Sequence, residues 1–324
     1  MSTALLESCW NALRLLAQAI KESPHPIAFC SLRFGAGETV RINALGERPG
    51  ADSFLVTLLV DPSSPRLPQP GVRGGAWFRL CGVIHLVELT SGGLPEDVQQ
   101  MLRVYAPYCF APIYAQRWQR AFAVSHFAQS LDGRIATSSG DSKWIGGPAN
   151  RRHAHRMRAL CDGILIGTRT LARDAPQLTV REVPGRNPTR IVVGTSVENT
   201  DSLTQASADP ILLIGTPPLP RQASSTVVTL RRDAGFFSGV QILEALYQQG
   251  IYSVYIEGGA ITTSHFLQER CLDVVQLHIA PMVLGSGIPA FSLPAIPRVT
   301  DALRFVSSLY VPVDDGMMFI GTLR

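Results

Sequence analysis

Four short stretches in the C-terminal half carry residue types suited to an anionic ligand. In "GTRTLARDAPQLTVR", a polar loop between strands, stand Thr168, Thr170, Asp174 and Arg181: hydroxyl donors, an acceptor and a guanidinium whose planar fork matches a phosphate. In "YIEGGAITTSHFL" a strand ends at Glu257, Gly258 and Gly259 turn the chain, and a helix begins. Bare N–H groups at such a helix start attract anions, and glycines let a phosphate come close, although the same letters also describe a plain tight turn. In "PANRRHAHRMRALC" Arg151, His155 and Arg158 recur at i, i+4 and i+7 and so share a helix face. That stripe reads equally as a solvated face or as the wall of a positive pocket, with Arg158, next to the apolar "LCDGILIG", best placed to face inward. In "SLDGRIATSSGDSKWIGGP" Asp132 and Gly133 make a turn after a strand, and Trp144 follows small polar residues. An aromatic surface there suits a flat, charged ligand, or simply caps a loop.

All four stretches follow strand-like segments, whose ends bind ligands in open α/β sheets. The paired glycines are not the G-x-G-x-x-G fingerprint, so a standard dinucleotide-binding motif is absent. No His/Asp dyad stands out. Asp132 and Glu257 are the carboxylates that could influence proton delivery.

The elements that must position these residues follow from apolar periodicity. Strand, helix and strand alternate beyond residue 117: "AFAVSHFAQSL", "DGILIG", "TRIVVG", "PILLIG" and "IYSVYIEGG" read as strands, and "VQILEALYQQG" and "AITTSHFLQER" as helices. The short, wholly apolar strands suit a sheet covered on both faces. Before them, a helix carrying Leu6, Trp10, Leu13, Ala17 and Ile20 leads into the strand-like runs "IAFCSLRF", "FLVTLLV" and "AWFRLCGVIHLVEL", with the Pro/Gly-rich turn "PSSPRLPQPGVRGG" between the last two. A short helix, "PEDVQQMLRVYA", closes this segment. "APYCFAPIYAQRWQ" is expected to be the passage between domains, since Pro107 and Pro112 oppose a continuous helix. The chain therefore divides into a small α+β domain over 1–116 and an α/β domain over 117–324.

With 324 residues, 46% hydrophobic and 17% charged, the chain has an ordinary globular composition with room for two domains. A net charge of +4 and the lack of a basic, aromatic-interleaved run argue against a nucleic-acid partner. The six cysteines are scattered, with no C-x-x-C pair and no zinc spacing, so no metal is expected and the thiols read as small buried hydrophobes. No signal-peptide pattern or membrane-length apolar run is seen, and a cytoplasmic location is expected.

The ordered motifs "SLDGRIA", "GDSKWIGGP", "MRALCDGILIGTRTLARDAPQLTVR", "NPTRIVV" and "IEGGA" resemble the pyrimidine reductase domain of riboflavin biosynthesis over residues 118–324. The resemblance implies a dihydrofolate-reductase-like fold, a mixed central sheet with flanking helices, in a homodimer. It implies NADPH-dependent reduction of 5-amino-6-(5-phospho-D-ribosylamino)uracil to the ribitylamino compound, with hydride passing from nicotinamide C4 to ribose C1′ of the ring-opened imine. Carried over by residue, it places Ala128, Trp144, Thr170, Asp174 and the turn Gly258, Gly259, Ala260, Ile261, Thr262, Thr263, Ser264 and His265 at the cofactor. It places Ser142, Arg158, Leu178, Arg181 and Glu257 at the substrate, with both arginines on its phosphate. The chain departs from the pattern twice. Gly194 and Thr195 stand where the family has an Asp-Ser pair, leaving Thr195 to keep the hydroxyl contact with substrate. The N-terminal domain also lacks the His-x-Glu and Pro-Cys-x-x-Cys ligands of the zinc deaminase often fused there. These departures leave two alternatives: a reductase of a pterin or other modified intermediate, and a non-catalytic nucleotide-binding or scaffold protein.

Overall fold

The computed structural model describes residues 3–44, 53–60, 74–80, 84–90, 93–195, 197, 199–216, 225–233 and 236–323. The expected turn at 62–75 lies, but for its last two residues, outside these, as does Cys81. Two compact units divide between Tyr114 and Ala115.

The first unit begins with Thr3–Glu22 (α1), whose apolar stripe buries Trp10, Leu13, Leu16 and Ile20. Strands Phe29–Gly35 (β1), Thr39–Ile42 (β2), Ser53–Leu59 (β3), Gly74–Leu80 (β4) and Ile84–Thr90 (β5) form an antiparallel sheet in the order β2-β1-β3-β5-β4. Trp10 meets Tyr105 of Glu96–Cys109 (α2) edge to face, with ring centroids 5.7 Å apart. Cys9, Cys30 and Cys109 are buried, and burial pushes the Cys30 and Cys109 thiols up in pKa. The passage in which the prolines were expected to oppose a continuous helix holds two helices: α2 runs through Pro107, and Ala111–Trp118 (α3) follows after Phe110. Pro107 sits in the last turn of α2, and Phe110 N–H closes back on its carbonyl, so the proline marks the joint between two helices instead of an extended linker.

The second unit is built on a sheet of nine strands. Its strands are Phe122–Ser130 (β6), Gly163–Gly167 (β8), Thr189–Val193 (β9), Ile211–Gly215 (β10), Ser225–Thr229 (β11), Ser253–Ile256 (β14), Val274–Ala280 (β15), Ser307–Val313 (β17) and Gly316–Thr322 (β18). Two short pairs complete the set: Arg134–Ala136 (β7) with Ile288–Pro289 (β16), and Arg232–Asp233 (β12) with Phe236–Phe237 (β13). The sheet order is β11-β10-β9-β8-β14-β6-β15-β18-β17, parallel from β11 to β15 and antiparallel across β18 and β17. It is the mixed sheet with flanking helices that the resemblance implies. The helices are Pro148–Leu160 (α4), Thr168–Asp174 (α5), Asp201–Ala206 (α6), Gly239–Gln248 (α7) and Ala260–Gln268 (α8). Parallel strands need crossovers, and these helices supply them. Leu165, Ile191, Leu212, Val254 and Ile256 on the strands pack with Ile242, Leu243, Leu246 and Phe266 of α7 and α8.

Two buried polar anchors hold this sheet in register. Arg120 and Asp273 pair at 2.6 Å, and Asp273 also accepts from Ala123 N–H at 2.8 Å, tying the starts of β6 and β15 together. Arg190 on β9 directs its guanidinium to the carbonyls of Leu203, Ser207 and Asp209, which satisfies a buried charge with backbone acceptors. Among the described residues no helix is long and apolar enough to cross a membrane.

Candidate active site

Because β6, β8, β9 and β14 are parallel, their C-terminal ends lie along one edge of the sheet; three of the four stretches singled out in the sequence leave from that edge, and the fourth is the helix α4 that leads into β8. A cavity of about 420 Å³ opens there. Gly167, Thr168 and Thr170 line it from β8 and α5, Gly194 and Thr195 from the end of β9, and Gly259, Ala260, Ile261, Thr262 and His265 from the turn and α8. Ile135, Phe237, Ile242, Phe266 and Ile288 supply an apolar floor. The stretch around Thr168 and Asp174, expected as a loop, is a short helix.

The helical period splits the 258–265 turn. Ala260, Ile261, Thr262 and His265 face the cavity, whereas Thr263 and Ser264 are buried the other way. Thr263 Oγ1 lies 2.9 Å from Ser125 Oγ, and Ser264 Oγ accepts from Ser292 N–H at 2.8 Å. These two are therefore corrected from cofactor contacts to packing residues. His265 Nε2 lies 2.7 Å from the Phe237 carbonyl and 2.9 Å from Glu269 Oε1. No side chain caps α8 at Gly259, and a Cβ built on Gly259 meets nothing within 4 Å. The opposite holds at Gly194, where a Cβ would come within 2.3 Å of Thr168 Cγ2. Thr168 occupies the space that an aspartate side chain at 194 would need, which is a physical reason for the glycine. Thr195 lines the cavity together with Thr170 and Gly259.

A second group gathers one residue before the paired glycines. Arg158 Nε and Nη2 donate to the Glu257 carboxylate at 2.9 and 2.6 Å, and Nη1 donates to the Thr179 carbonyl at 2.9 Å. Burial alone would lower the pKa of this guanidinium, and the Glu257 carboxylate beside it more than offsets that. The fork of Arg158 grips Glu257, a residue that the resemblance puts at the same substrate. Arg181 is exposed, donates from Nη1 to Thr179 Oγ1 at 2.6 Å, and gives its backbone N–H to His155 Nδ1 at 3.0 Å. Leu178 is buried beside it with φ 56, a left-handed backbone unusual for leucine. The Arg151/His155/Arg158 stripe is therefore neither wholly solvated nor wholly a pocket wall, since only Arg151 is exposed.

The remaining residues surround the loop after β7. Ala128 on β6 packs under Gly146, and Ser142 is exposed. Trp144, with φ 69, is 75% exposed and carries the Arg151 guanidinium 5.4 Å from its ring centre. Asp174 points to the surface and pairs with Arg173 at 2.8 Å, while Arg173 lines the cavity. Asp314 accepts from Ala149 N–H at 2.9 Å, capping α4 from the β17–β18 turn and holding the loop's far end.

Asp132 is a clamp. It accepts from Ser130 Oγ at 2.6 Å, Leu284 N–H at 3.1 Å and Gly285 N–H at 2.8 Å, and these bonds, the serine's first, hold its pKa near about 2. A carboxyl held ionised by these donors can influence proton delivery only as an acceptor. Asp132→Ala is expected to speed hydrogen exchange at the Leu284 and Gly285 amides; unchanged exchange there would remove the clamp.

Beneath the site lies a buried polar layer that motif reading passed over. Tyr255 Oη lies 2.7 Å from His126 Nδ1, His126 Nε2 lies 3.0 Å from Asn150 Oδ1, and His153 Nε2 lies 2.9 Å from Gln276 Oε1. Burial lowers the pKa of His126 and His155 to about 4 and that of His153 well below the usual range. The cavity's Phe237, Ile242 and Phe266 were equally hidden, because apolar helix positions read as core until a cavity is found beside them.

A doubly covered, mostly parallel sheet with a cleft at its C-terminal edge is the mixed α/β architecture that a dihydrofolate-reductase-like fold requires. Residues 121–314 match the RibD C-terminal domain family. The chain belongs to that family, the pyrimidine reductases of riboflavin biosynthesis. It is 32% identical over 200 residues to the 2,5-diamino-6-ribosylamino-4(3H)-pyrimidinone 5′-phosphate reductase of Methanothermobacter thermautotrophicus, covering 57% of this chain and 90% of that one. It is 28% identical over 269 residues to the riboflavin biosynthesis protein RibD of Mycobacterium tuberculosis, covering 81% and 70%. The crystal structure of the Thermotoga maritima diaminohydroxyphosphoribosylaminopyrimidine deaminase/5-amino-6-(5-phosphoribosylamino)uracil reductase superposes with a TM-score of 0.58 at 26% identity. That superposition covers 70% of this chain but only 62% of the Thermotoga chain, less than two thirds of its length.

Proposed function

We propose that the chain reduces 5-amino-6-(5-phospho-D-ribosylamino)uracil to its ribitylamino product with NADPH. One observation carries the reading: a cleft rich in anion donors and a carboxylate–guanidinium group meet at the end of a single strand, β14, with Glu257 of one adjoining Gly258 and Gly259 of the other. The residues fit a nicotinamide dinucleotide, because the cleft offers an uncapped helix start, open space over Gly259 and arginines with no carboxylate among the described lining residues.

The cofactor, when bound, supplies the hydride. The chain's own residues position and enclose. Gly259 and the first N–H groups of α8 receive the pyrophosphate, Thr170 and Thr195 bond the nucleotide, and Trp144 walls the nicotinamide end. Arg181 takes the sugar phosphate, while Arg158 holds Glu257 toward the ribityl hydroxyls. Holding the two reacting carbons in contact is the main catalytic contribution. A homodimer belongs to the same reading, since Val299, Val306 and Tyr310 expose apolar surface on and near edge strand β17 that a second copy would cover. So does a cytoplasmic location.

The Methanothermobacter relative's name favours a second substrate, the 2-amino pyrimidinone that still carries its ring amine. The test is NADPH oxidation by the purified chain with each phosphoribosylamino-pyrimidine in turn. Turnover of either supports the reductase and chooses between them; turnover of a dihydropterin alone overturns both.

Gly259→Val tests the phosphate position. Open space around this glycine and a φ of −66 mean that valine does not disturb the fold. Its branched side chain would stand where the pyrophosphate approaches, costing on the order of 2 kcal/mol, or about 30-fold in NADPH affinity, with Tm unchanged. Wild-type affinity in calorimetry would show that the pyrophosphate lies elsewhere.

A further inference from the structure

The connection from α5 to β9, residues 175–188, forms no helix or strand, yet it carries Leu178, Thr179 and Arg181. A segment without a backbone ladder keeps one shape only where other groups take up its N–H and C=O groups. Leu178 has φ 56, a left-handed conformation that a leucine keeps only where its surroundings enforce it.

Side chains supply the enforcement. Arg158 Nη1 donates to the Thr179 carbonyl at 2.9 Å. The next two N–H groups also go to side chains, that of Val180 to Asn187 Oδ1 at 2.7 Å and that of Arg181 to His155 Nδ1 at 3.0 Å. Arg158 and His155 belong to α4, whereas Asn187 belongs to the connection itself. A loop closed on its own residue is fixed only if that residue is held from outside. Asn187 is held, because its Nδ2 donates to Asp209 Oδ2 at 2.7 Å. Asp209 is fixed in turn: the Ser207 hydroxyl donates to the same carboxylate oxygen, Asp209 N–H donates to Ser207 Oγ at 3.1 Å, and the buried Arg190 guanidinium grips the Asp209 carbonyl. The Ser207 hydroxyl first, and the Asn187 amide second, hold the Asp209 carboxyl below the usual carboxylate range, so the bond from Asn187 is charge-assisted. The anchor therefore runs from Arg190 on β9 through Asp209 and Asn187 to Val180. An amide suits this place, since it accepts at one atom while it donates at the other.

We propose that Asn187, anchored by Asp209, is a positioning residue for the substrate: it holds the Val180 backbone so that Arg181 presents its guanidinium to the sugar phosphate. Arg181 Nη1 bonds Thr179 Oγ1 at 2.6 Å, so its fork follows wherever the backbone from Thr179 to Arg181 is set. Neither Asn187 nor Asp209 lines the cofactor cavity, so their loss is felt by the pyrimidine and not by NADPH. The role rests on the substrate reading above, and the experiment separates the two.

Steady-state kinetics of the full chain, with each substrate varied while the other is saturating, read the split. Asn187→Ala is expected to raise KM for the phosphoribosylamino-pyrimidine by about 10-fold, with kcat and KM for NADPH unchanged. Asn187→Asp sets two carboxylates against each other and has the same effect. Adding Asp209→Asn to Asn187→Asp exchanges donor and acceptor between the two positions and returns KM to within about threefold of wild type. Hydrogen exchange at the Val180 amide, faster in Asn187→Ala, reads the anchor without turnover. Unchanged exchange, equal rises in both KM values, no rise in either, or a double variant no better than Asn187→Asp would overturn the positioning role and leave the reductase standing. A wild type that turns over no phosphoribosylamino-pyrimidine would remove the substrate reading, and this role with it.

Discussion

Arg158→Ala is expected to lower folding stability by about 3 kcal/mol, a Tm drop of roughly 6–12 °C for a unit of this size. Arg158 contributes a bidentate pair to Glu257 and a bond to the Thr179 carbonyl, with side-chain exposures of 10% for the arginine and 28% for the glutamate. Removing the cation leaves a carboxylate largely out of water with no partner. Activity falls with stability, because Glu257 is then no longer held at the end of β14. The double variant Arg158→Ala/Glu257→Ala should recover part of the lost stability, since the unpaired charge goes too. A direct phosphate ligand would behave differently: the single variant would raise KM for substrate and leave thermal melting where it was. That pattern would restore the phosphate role and dismiss the positioning one.

Acidification should be as costly. His126 has its pKa lowered to about 4 by burial, against about 6.5 when exposed, and His155 is lowered to about 4 by burial and by Arg158 and Arg181. Between these values the unfolded chain binds protons that the native chain refuses, so native stability is fully present above about pH 6.5 and drains away toward pH 4. His126 alone accounts for about 2 kcal/mol at pH 5. The geometry agrees at His155, whose Nδ1 accepts from Arg181 N–H, a bond that a protonated ring would break, while His126 Nδ1 lies 2.7 Å from Tyr255 Oη in a buried layer. His155 ties this loss to the site, since its protonation frees the backbone at Arg181. The measurement is urea unfolding at pH 7, 6 and 5, with His126→Gln as the comparison. A flat profile, or one that the variant leaves as steep, would exclude buried neutral histidines as the cause.

Much of this protein was legible from local pattern. Short apolar strands alternating with amphipathic helices announced a doubly covered sheet, because only such a sheet hides strands without a polar face, and the motifs at the strand ends marked the binding edge. Paired glycines before a helix marked a place for a close anion, since that requirement is written in adjacent residues. The passage between the units was placed by Pro107 and Pro112, and the structure fills it with two helices, because the last turn of one helix and the first of the next accept proline. Thr263 and Ser264 were given to the cofactor because a motif has no sides until its helix is docked.

What the sequence by itself determined is therefore the main strands and helices of the α/β unit and the doubly covered sheet they form, since these depend on periodicity and on neighbours in the chain. What only the tertiary structure decided is the partner of each charge. Arg158 and Glu257 lie 99 residues apart, and His126 and Tyr255 129 apart. Whether a guanidinium stands open to a ligand or is bound to a carboxylate depends on distances that no local pattern encodes, and those distances are set by how parallel strands far apart in the chain are laid side by side.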